Sequence, residues 1–216
     1  MENMIRTLDL KKDLKYLYAP SAKKVEIVQV PRLQFALIDG AIEKGLEPGK
    51  SPSFTEATQT LYSISYTLKF MLKKRKNNPV DYPVMALEGL WWVEDGVFDI
   101  AIKDNWFYTL MILQPDMITS ENFEEAREQV RKKKGVSSFL SELRLGHFEE
   151  GLCVQTMHIG SYATEPTTVD RMRAFAAENG YRDCVGLGGK HHEIYLGDPR
   201  KADPAKLKTV LRHPVE

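Results

Sequence analysis

The sequence predicts an α+β protein made of two strand–helix–strand–strand units. Two apolar, strand-like runs, residues 25–30 and 33–38, end at Gly40 and are followed by a long amphipathic helix and two more strand-like runs. The last third of the chain repeats this order, beginning with a strand that ends at Gly160. Identity between the halves is low, so the predicted duplication rests on the order of the elements and on the glycines that end the strands.

The first unit is predicted over about residues 24–113. Residues 54–72 have apolar side chains at helical spacing, and Ser53 is the expected N-cap. Strand-like runs follow at residues 84–93 and 106–113. Residues 43–52 contain two glycines and two prolines and are predicted to form a loop over the mouth of this unit.

The second unit is predicted over about residues 148–213 of a single domain that spans residues 1–216. Its helix ends at Gly180. Its last two strands are predicted at residues 181–187 and 191–196, and a short basic helix at residues 204–212. A glycine-rich hairpin turn at residues 186–189 leads straight into a strand, which leaves no helix N-terminus there for phosphate.

A helical segment at about residues 120–145 has no counterpart in the second unit. We therefore expect an insertion that joins the halves and contributes little to either core.

Composition excludes several classes of function. Thirty basic and 30 acidic residues cancel, so no global field favours nucleic acid or an anionic membrane. Cys153 and Cys184 are too few for a disulfide framework and lack the spacing of a zinc site. Nowhere are there 18 consecutive apolar residues. We expect a cytoplasmic protein with no direct nucleic-acid binding, no membrane insertion, no cofactor and no metal.

Glu193 is the residue that most needs an explanation. It lies in the strand-like run His191-His192-Glu193-Ile194-Tyr195-Leu196, where a carboxylate loses hydration energy unless its side of the sheet meets something polar, cationic or wet. Alternation places Glu193 and Tyr195 on one face with His191, and Ile194 and Leu196 on the core face. His191 and His192 diverge, so they do not form a metal site together.

Aromatic residues on the neighbouring strands supply a second signal. Trp91 and Trp92 are adjacent and must point to opposite faces, while Trp106 and Tyr108 share one face. Such side chains hold flat apolar or cationic molecules, although they are equally ordinary in a sheet core. Glu88, on the Trp92 side of its strand, is a second candidate carboxylate or the partner of a lysine.

Tyr62 and Tyr66 lie one helical turn apart beside the apolar stripe of the first helix. They belong either to the edge of the core or to a pocket that a tyrosine hydroxyl reaches.

Four segments resemble the stand-alone GyrI-like (SOUL-like) proteins, which are similar to effector-binding domains of AraC-type and multidrug-responsive regulators. They are residues 88–92, 106–116, 158–162 and 191–199. The resemblance implies antiparallel sheets around a concave ligand groove, helices on the outer face, and a small-molecule site centred on the glutamate that Glu193 matches.

In one stand-alone branch of this family an aromatic cage hydrolyses cyclopropane-bearing alkylating compounds. The paired tryptophans and the His-His-Glu strand make this chain resemble that branch. We therefore expect a protein that binds flat aromatic or cationic xenobiotics and hydrolyses the strained ring. Glu193, Tyr62 and Tyr66 are the expected catalytic residues. The expected ligand contacts are Trp91, Trp92, Trp106, Tyr108, Tyr195 and Glu88.

Two other functions remain open on the sequence. Relatives that only bind or sense lipophilic cations need no turnover. The gyrase inhibitor that names the family contacts a protein, but the neutral composition gives that activity no support. Homodimerisation through a sheet edge is also open.

Overall fold

The computed structural model describes residues 4–94, 98–102, 105–135 and 137–216. The helices are α1 (Leu10–Asp13), α2 (Lys15–Tyr18), α3 (Pro52–Lys73), α4 (Ser120–Lys134), α5 (Ser138–Glu142) and α6 (Glu165–Glu178). The strands are β1 (Arg6–Thr7), β2 (Glu26–Val30), β3 (Leu33–Ala41), β4 (Val80–Asp81), β5 (Leu87–Trp92), β6 (Phe107–Leu113), β7 (Arg144–Phe148), β8 (Gly151–Ile159), β9 (His191–Tyr195) and β10 (Lys208–Pro214).

Eight of these strands form one antiparallel sheet in the order β2-β8-β10-β9-β5-β6-β3-β7. Each half has the same connectivity, β3-α3-β5-β6 and β8-α6-β9-β10, and in each half the last strand lies between the other two. The strands that follow the helices, β5 in one half and β9 in the other, pair with each other. The halves therefore meet at the centre of the sheet. The predicted α+β fold of duplicated βαββ units is confirmed.

The outer strands interlock the two halves. β2 precedes β3 in the chain but pairs with β8, and β7 precedes β8 but pairs with β3. Each half therefore supplies an edge strand to the other half's end of the sheet.

Helix α3 begins two residues earlier than the sequence pattern predicted. The Ser51 side chain accepts a hydrogen bond from the Phe54 amide at 3.1 Å, and Pro52 takes the first helical position, where a missing N–H costs nothing. Ser51 is therefore the N-cap, and the expectation for Ser53 is wrong. Leu61, Ile64 and Leu68 are fully buried, as the apolar periodicity predicted.

The second half departs from the predicted elements at its end. Residues 181–187 form no strand; Asp183 and Val185 make only isolated bridges, and the expected turn at 186–189 joins no strand on its N-terminal side. Residues 208–214 form β10 rather than a basic helix, because their alternating side chains are buried on both faces between β8 and β9. Leu196 lies beyond β9 and is 37% exposed, so it does not join the core.

Residues 120–148 are more than a linker. Phe123, Ala126 and Val130 of α4 are buried in the main core, and α4 packs on α3. β7 then joins the sheet beside β3. The expectation that this segment contributes little to the core is wrong. Of the helices in the described ranges, none combines the length and apolar character needed to span a bilayer.

Candidate functional site

A large cavity lies between the sheet and α3. Its volume is about 1320 Å³, and its walls are more apolar than polar. The sheet contributes Leu87 and Trp91 from β5 and Glu193 and Tyr195 from β9. These side chains share one face, because the register places Leu87 opposite Tyr195 and Gly89 opposite Glu193. Helix α3 and the segments that follow β8 and β9 supply further wall residues: Phe54, Thr55, Thr58, Gln59, Tyr62, Tyr66, Tyr162 and Asp198.

Glu193 lies on the floor of the cavity and is 5% exposed. The Trp91 indole donates to the Tyr195 hydroxyl at 3.0 Å, and that hydroxyl donates in turn to Glu193. Burial, and then the Glu193 charge, hold the pKa of Tyr195 well above its usual range, so Tyr195 remains a donor at neutral pH. The glutamate is thus held by its own strand.

Gly89 makes this arrangement sterically feasible. A Cβ atom at this position would lie 2.7 Å from Trp91 Nε1 and 3.3 Å from the Tyr195 hydroxyl oxygen. The glycine opposite Glu193 therefore leaves space for the Trp91–Tyr195 hydrogen bond.

An aromatic cluster forms the wall beside Glu193. The Trp91 ring stacks on Phe54 at 5.7 Å between centroids and tilts against Trp106 at 5.2 Å. Tyr108 contacts Trp91 edge-on at 5.8 Å but is fully buried, so it supports the wall from behind. Trp91 and Trp106 line the cavity, whereas Tyr108 does not.

Two tyrosines of α3 lie on the opposite wall. The Tyr62 and Tyr66 rings are 6.4 Å apart, and burial raises the pKa of Tyr62. Tyr162, which sequence reasoning did not select, packs edge-on against Tyr195 at 6.1 Å. Burial raises the pKa of Tyr162, and the Glu193 charge adds to this effect. The sequence contained only weak signals for these two wall residues. Tyr162 follows Gly160, where a strand ends, and Phe54 lies in the first turn of α3.

Trp92 and Glu88 do not join the cavity. Both lie on the other face of β5, where Trp92 stacks on Phe107 at 6.1 Å and the Lys190 ammonium lies 3.3 Å from the Trp92 ring centroid. Strand alternation correctly separated Trp91 from Trp92, but the sequence alone did not tell which of the two faces the ligand side.

Glu88 instead belongs to a buried network. It accepts from the Tyr18 hydroxyl at 2.5 Å and lies 3.1 Å from His192 Nε2. His192 Nδ1 lies 2.9 Å from Glu150, which also accepts from Arg212 at 3.3 Å. A carboxylate group at each ring nitrogen favours the imidazolium form of His192, which donates on both sides.

The pKa values agree with this assignment. Burial acts to lower the pKa of His192, but Glu150 and Glu88 outweigh it and raise that pKa. Burial acts to raise the pKa of Glu150, but His192 and Arg212 outweigh it and lower that pKa. Within the described residues, no group of three or more His, Cys, Asp and Glu side chains has a geometry suited to a metal ion.

Comparison with known proteins assigns the chain to a family. The family model of the GyrI-like small molecule binding domain matches residues 23–216. The chain belongs to the GyrI-like family. No curated protein matches its sequence.

Several solved structures resemble most or nearly all of the chain. It is 44% identical to an uncharacterized conserved protein from Listeria innocua, with a TM-score of 0.86 over 97% of this chain and 100% of that one. It is 42% identical to a hydrolase encoded by lin2189 from the same organism, with a TM-score of 0.82 over 98% of this chain and 100% of that one. The EcmrR C-terminal domain shares the fold at 11% identity, with a TM-score of 0.52 over 89% of this chain and 97% of that one.

In this GyrI-like chain the walls of the cavity can bind a ligand, and the floor carries a reactive group. The apolar and aromatic walls can clamp a flat ligand by dispersion. Glu193 offers carboxylate chemistry at one point of the floor, and Tyr62, Tyr66, Tyr162 and Tyr195 offer hydroxyl groups around it. A ligand that enters this cavity meets the buried carboxylate of Glu193 beside aromatic rings, and Glu47 and Asp198 line other parts of the wall.

Proposed function

We propose that this protein binds flat aromatic xenobiotics in the cytoplasm and adds water to a strained cyclopropane ring that they carry. The observation that carries the proposal is the position of Glu193, a carboxylate on the floor of a cavity of about 1320 Å³ with aromatic walls. The hydrolase from Listeria innocua, similar over the full chain, supports an enzyme rather than a passive binder.

In the proposed reaction Glu193 is the general base. It takes a proton from a water molecule as the water oxygen bonds to a ring carbon. The cyclopropane C–C bond at that carbon breaks. Its electron pair moves through the dienone to which the cyclopropane is joined and reaches the dienone carbonyl oxygen, which becomes a phenolate oxygen and takes up one proton. The product is the substrate plus one water, with no change in oxidation state.

The walls supply the other contributions. Trp91, Trp106 and Phe54 hold the flat ring system close to Glu193, which replaces a bimolecular encounter by a fixed geometry. Tyr62 or Tyr66 donates a hydrogen bond to the carbonyl oxygen, where negative charge develops. Relief of ring strain lowers the barrier, so few groups are needed.

The experiment uses a spirocyclopropyl cyclohexadienone as the probe. Its ring opening by water gives a hydroxyethyl phenol one water heavier, which mass spectrometry detects. Binding is read in parallel from quenching of tryptophan fluorescence, because Trp91 and Trp106 both line the cavity. We expect quenching together with a mass gain that exceeds the rate in buffer.

The alternative function is binding without turnover, which the size and apolar walls of the cavity favour by themselves. Quenching by the probe and by flat aromatic cations, without any mass gain above the buffer rate, would select this alternative. If neither the probe nor any of the flat aromatic cations quenched the fluorescence, both the hydrolase function and the binding function would be excluded.

A further inference from the structure

A chain of polar side chains leads from Glu193 along one face of the sheet to the surface. His191 Nε2 lies 3.0 Å from Glu193 Oε1, and His191 Nδ1 lies 2.7 Å from His213 Nε2. His213 Nδ1 lies 2.7 Å from Asp183 Oδ2, which also accepts from Arg173 at 3.2 Å. We call Glu193, His191, His213 and Asp183 the relay.

The two ends of the relay differ in their access to water. Both histidines are at most 1% exposed, and the Phe98 ring stacks on His191 at 5.4 Å between centroids. The Asp183 side chain is 14% exposed, and that of Arg173 is 43% exposed. The relay therefore connects the cavity floor with solvent through a path that water does not enter freely.

A count of protons shows what the relay must hold. If Glu193 and Asp183 are both ionised and both histidines neutral, only two ring protons are available for three links. One link would then bring two lone pairs face to face. Because all three links have hydrogen-bond distances, the relay holds a third proton.

We propose that the relay is a proton path that couples Glu193 to Asp183, and that the proton taken from the attacking water leaves the cavity through His191 and His213. Glu193 is the catalytic residue, and the other three are positioning residues that act through it. The catalytic half of this proposal rests on the proposed function, whereas the coupling of the four side chains does not.

The surrounding charges place the third proton at the cavity end. Burial lowers the pKa of His213, and the opposing effect of Asp183 does not overcome it. Burial acts to raise the pKa of Asp183, but His213 and Arg173 outweigh it and lower that pKa. With Asp183 ionised and His213 neutral, Glu193 and His191 share the third proton. The Glu193 charge also acts on Tyr195, Tyr162 and His158.

Proton transfer along the relay balances in this scheme. Glu193 receives the water proton while His191 is an imidazolium. His191 then passes its Nδ1 proton to His213 Nε2, and His213 passes its Nδ1 proton to Asp183, which releases it to solvent. Three protons then remain, one on Glu193 and one on Nε2 of each histidine. Both histidines return to the Nδ1 tautomer, and the Glu193 proton moves to the vacated His191 Nε2, which restores the starting state.

Two isosteric variants are expected to set the direction of hydrogen-bond donation along the relay, one toward Glu193 and the other toward Asp183. In Asp183→Asn the new amide N–H donates to His213 Nδ1, so both histidines are expected to carry their proton on Nε2 and Glu193 to accept. In Glu193→Gln the amide N–H donates to His191 Nε2, so both histidines are expected to carry their proton on Nδ1. NMR of protein with ¹⁵N-labelled histidine distinguishes these tautomers directly.

Asp39→Asn is the matched control. Asp39 accepts from Thr109 and pairs with Arg144 on the other face of the sheet, so its loss is expected to leave both tautomers unchanged. In Asp183→Asn, a tautomer change confined to His213, with the protonation of His191 unaffected, would overturn the coupling. If Asp183→Asn does not fold, Glu193→Gln decides by itself: His213 is expected to keep its proton on Nδ1 and His191 to lose its Nε2 proton, and a His191 that stays protonated on both nitrogens would overturn the coupling.

Turnover tests the catalytic half separately. We expect Asp183→Asn to slow water addition to the spirocyclopropyl dienone by about tenfold, less than loss of the base itself. We also expect unchanged fluorescence quenching. The dependence of the rate on the deuterium content of the solvent is expected to change from one that indicates several transferred protons to one that indicates a single proton. An unchanged isotope dependence overturns the path as a route for the water proton. If the wild type shows no turnover, the proposed function fails, and the tautomers still decide the coupling.

Discussion

At the scale of single residues, strand alternation decides which aromatic side chains can meet a ligand. Trp91 is 1% exposed and lines the cavity, while Trp92 lies on the other face against Phe107 and Lys190. Trp91 therefore serves two roles, as a core residue among Phe54 and Trp106 and as the wall beside Glu193.

The tryptophan pair gives a prediction that separates these roles. Trp91→Ala is expected to lower the free energy of unfolding by about 3 to 5 kcal/mol and to abolish ligand binding, because it leaves a void in the core and removes the wall. Trp92→Ala is expected to cost less stability and to leave the affinity unchanged. Urea unfolding and a ligand titration measure both quantities. Equal affinity in the two variants would exclude Trp91 from the ligand site.

The buried network around His192 gives a prediction on pH. The raised pKa of His192 means that its contribution to stability is fully present below its unfolded value of about 6.5 and is lost as the pH rises through the folded value. Glu150, with a lowered pKa, contributes above its unfolded value of about 4.3 and loses this contribution as the pH falls through the folded value.

Glu150→Gln tests this linkage. At pH 6 we expect a loss of about 3 to 5 kcal/mol in the free energy of unfolding, because His192 and Arg212 lose a buried partner. At a pH above the folded pKa of His192 the loss is expected to be smaller, because the wild type has then lost the imidazolium. Urea unfolding over a series of pH values from 6 upward gives the comparison. A loss that grew as the pH rose would contradict this linkage.

At the scale of elements, the unmatched segment between the halves behaves as core. Phe123, Ala126 and Val130 of α4 are buried, and the Thr119 side chain caps the helix in a reciprocal capping box with Asn122. Pairing of β7 with β3 fixes the chain at the far end of the segment.

Hydrogen exchange tests the role of α4. We expect the amides of its buried turns, around Phe123 to Val130, to exchange about as slowly as those of α3, because opening α4 exposes the core that the two helices share. Exchange as fast as that of the residues near the N-terminus would show that α4 opens independently. Slowing of such fast exchange by an aromatic ligand would identify α4 as a lid.

At the scale of the whole molecule, the exchange of edge strands makes the two halves one unit. β2 completes the sheet at β8, and β7 completes it at β3, while β5 and β9 join at the centre. The cavity depends on this junction, because Trp91 comes from one half and Glu193 from the other. The site exists only when both halves are folded together.

The sequence predicted the elements that follow local rules. The buried stripe of α3, the two βαββ units and the face shared by Glu193 and Tyr195 follow from helical and strand periodicity. β10 was missed because Lys208 and Arg212 resemble a helix end, while pairing on both sides and burial of Arg212 against Gln155 and Glu150 decide the structure. The relay was missed because it joins His191 to His213 and Asp183, which lie far apart in the sequence.

The ligand side of β5 was also beyond sequence reasoning. Alternation separates Trp91 from Trp92, and Gly89 from Glu88, but it does not tell which set faces α3. Packing of Phe54 on Trp91 decides this, and that contact joins residues from different elements.

The central claim is that Glu193 acts as a base on water in the aromatic cavity, and one kinetic comparison tests it most directly. Wild type, Glu193→Gln and the Asp39→Asn control are assayed with the spirocyclopropyl dienone for kcat, and for Kd by fluorescence quenching. We expect Glu193→Gln to lower kcat by roughly 10² to 10⁴ with little change in Kd, because the amide keeps the shape of the floor and loses the base. The control is expected to match the wild type. Wild-type kcat in Glu193→Gln would contradict the claim.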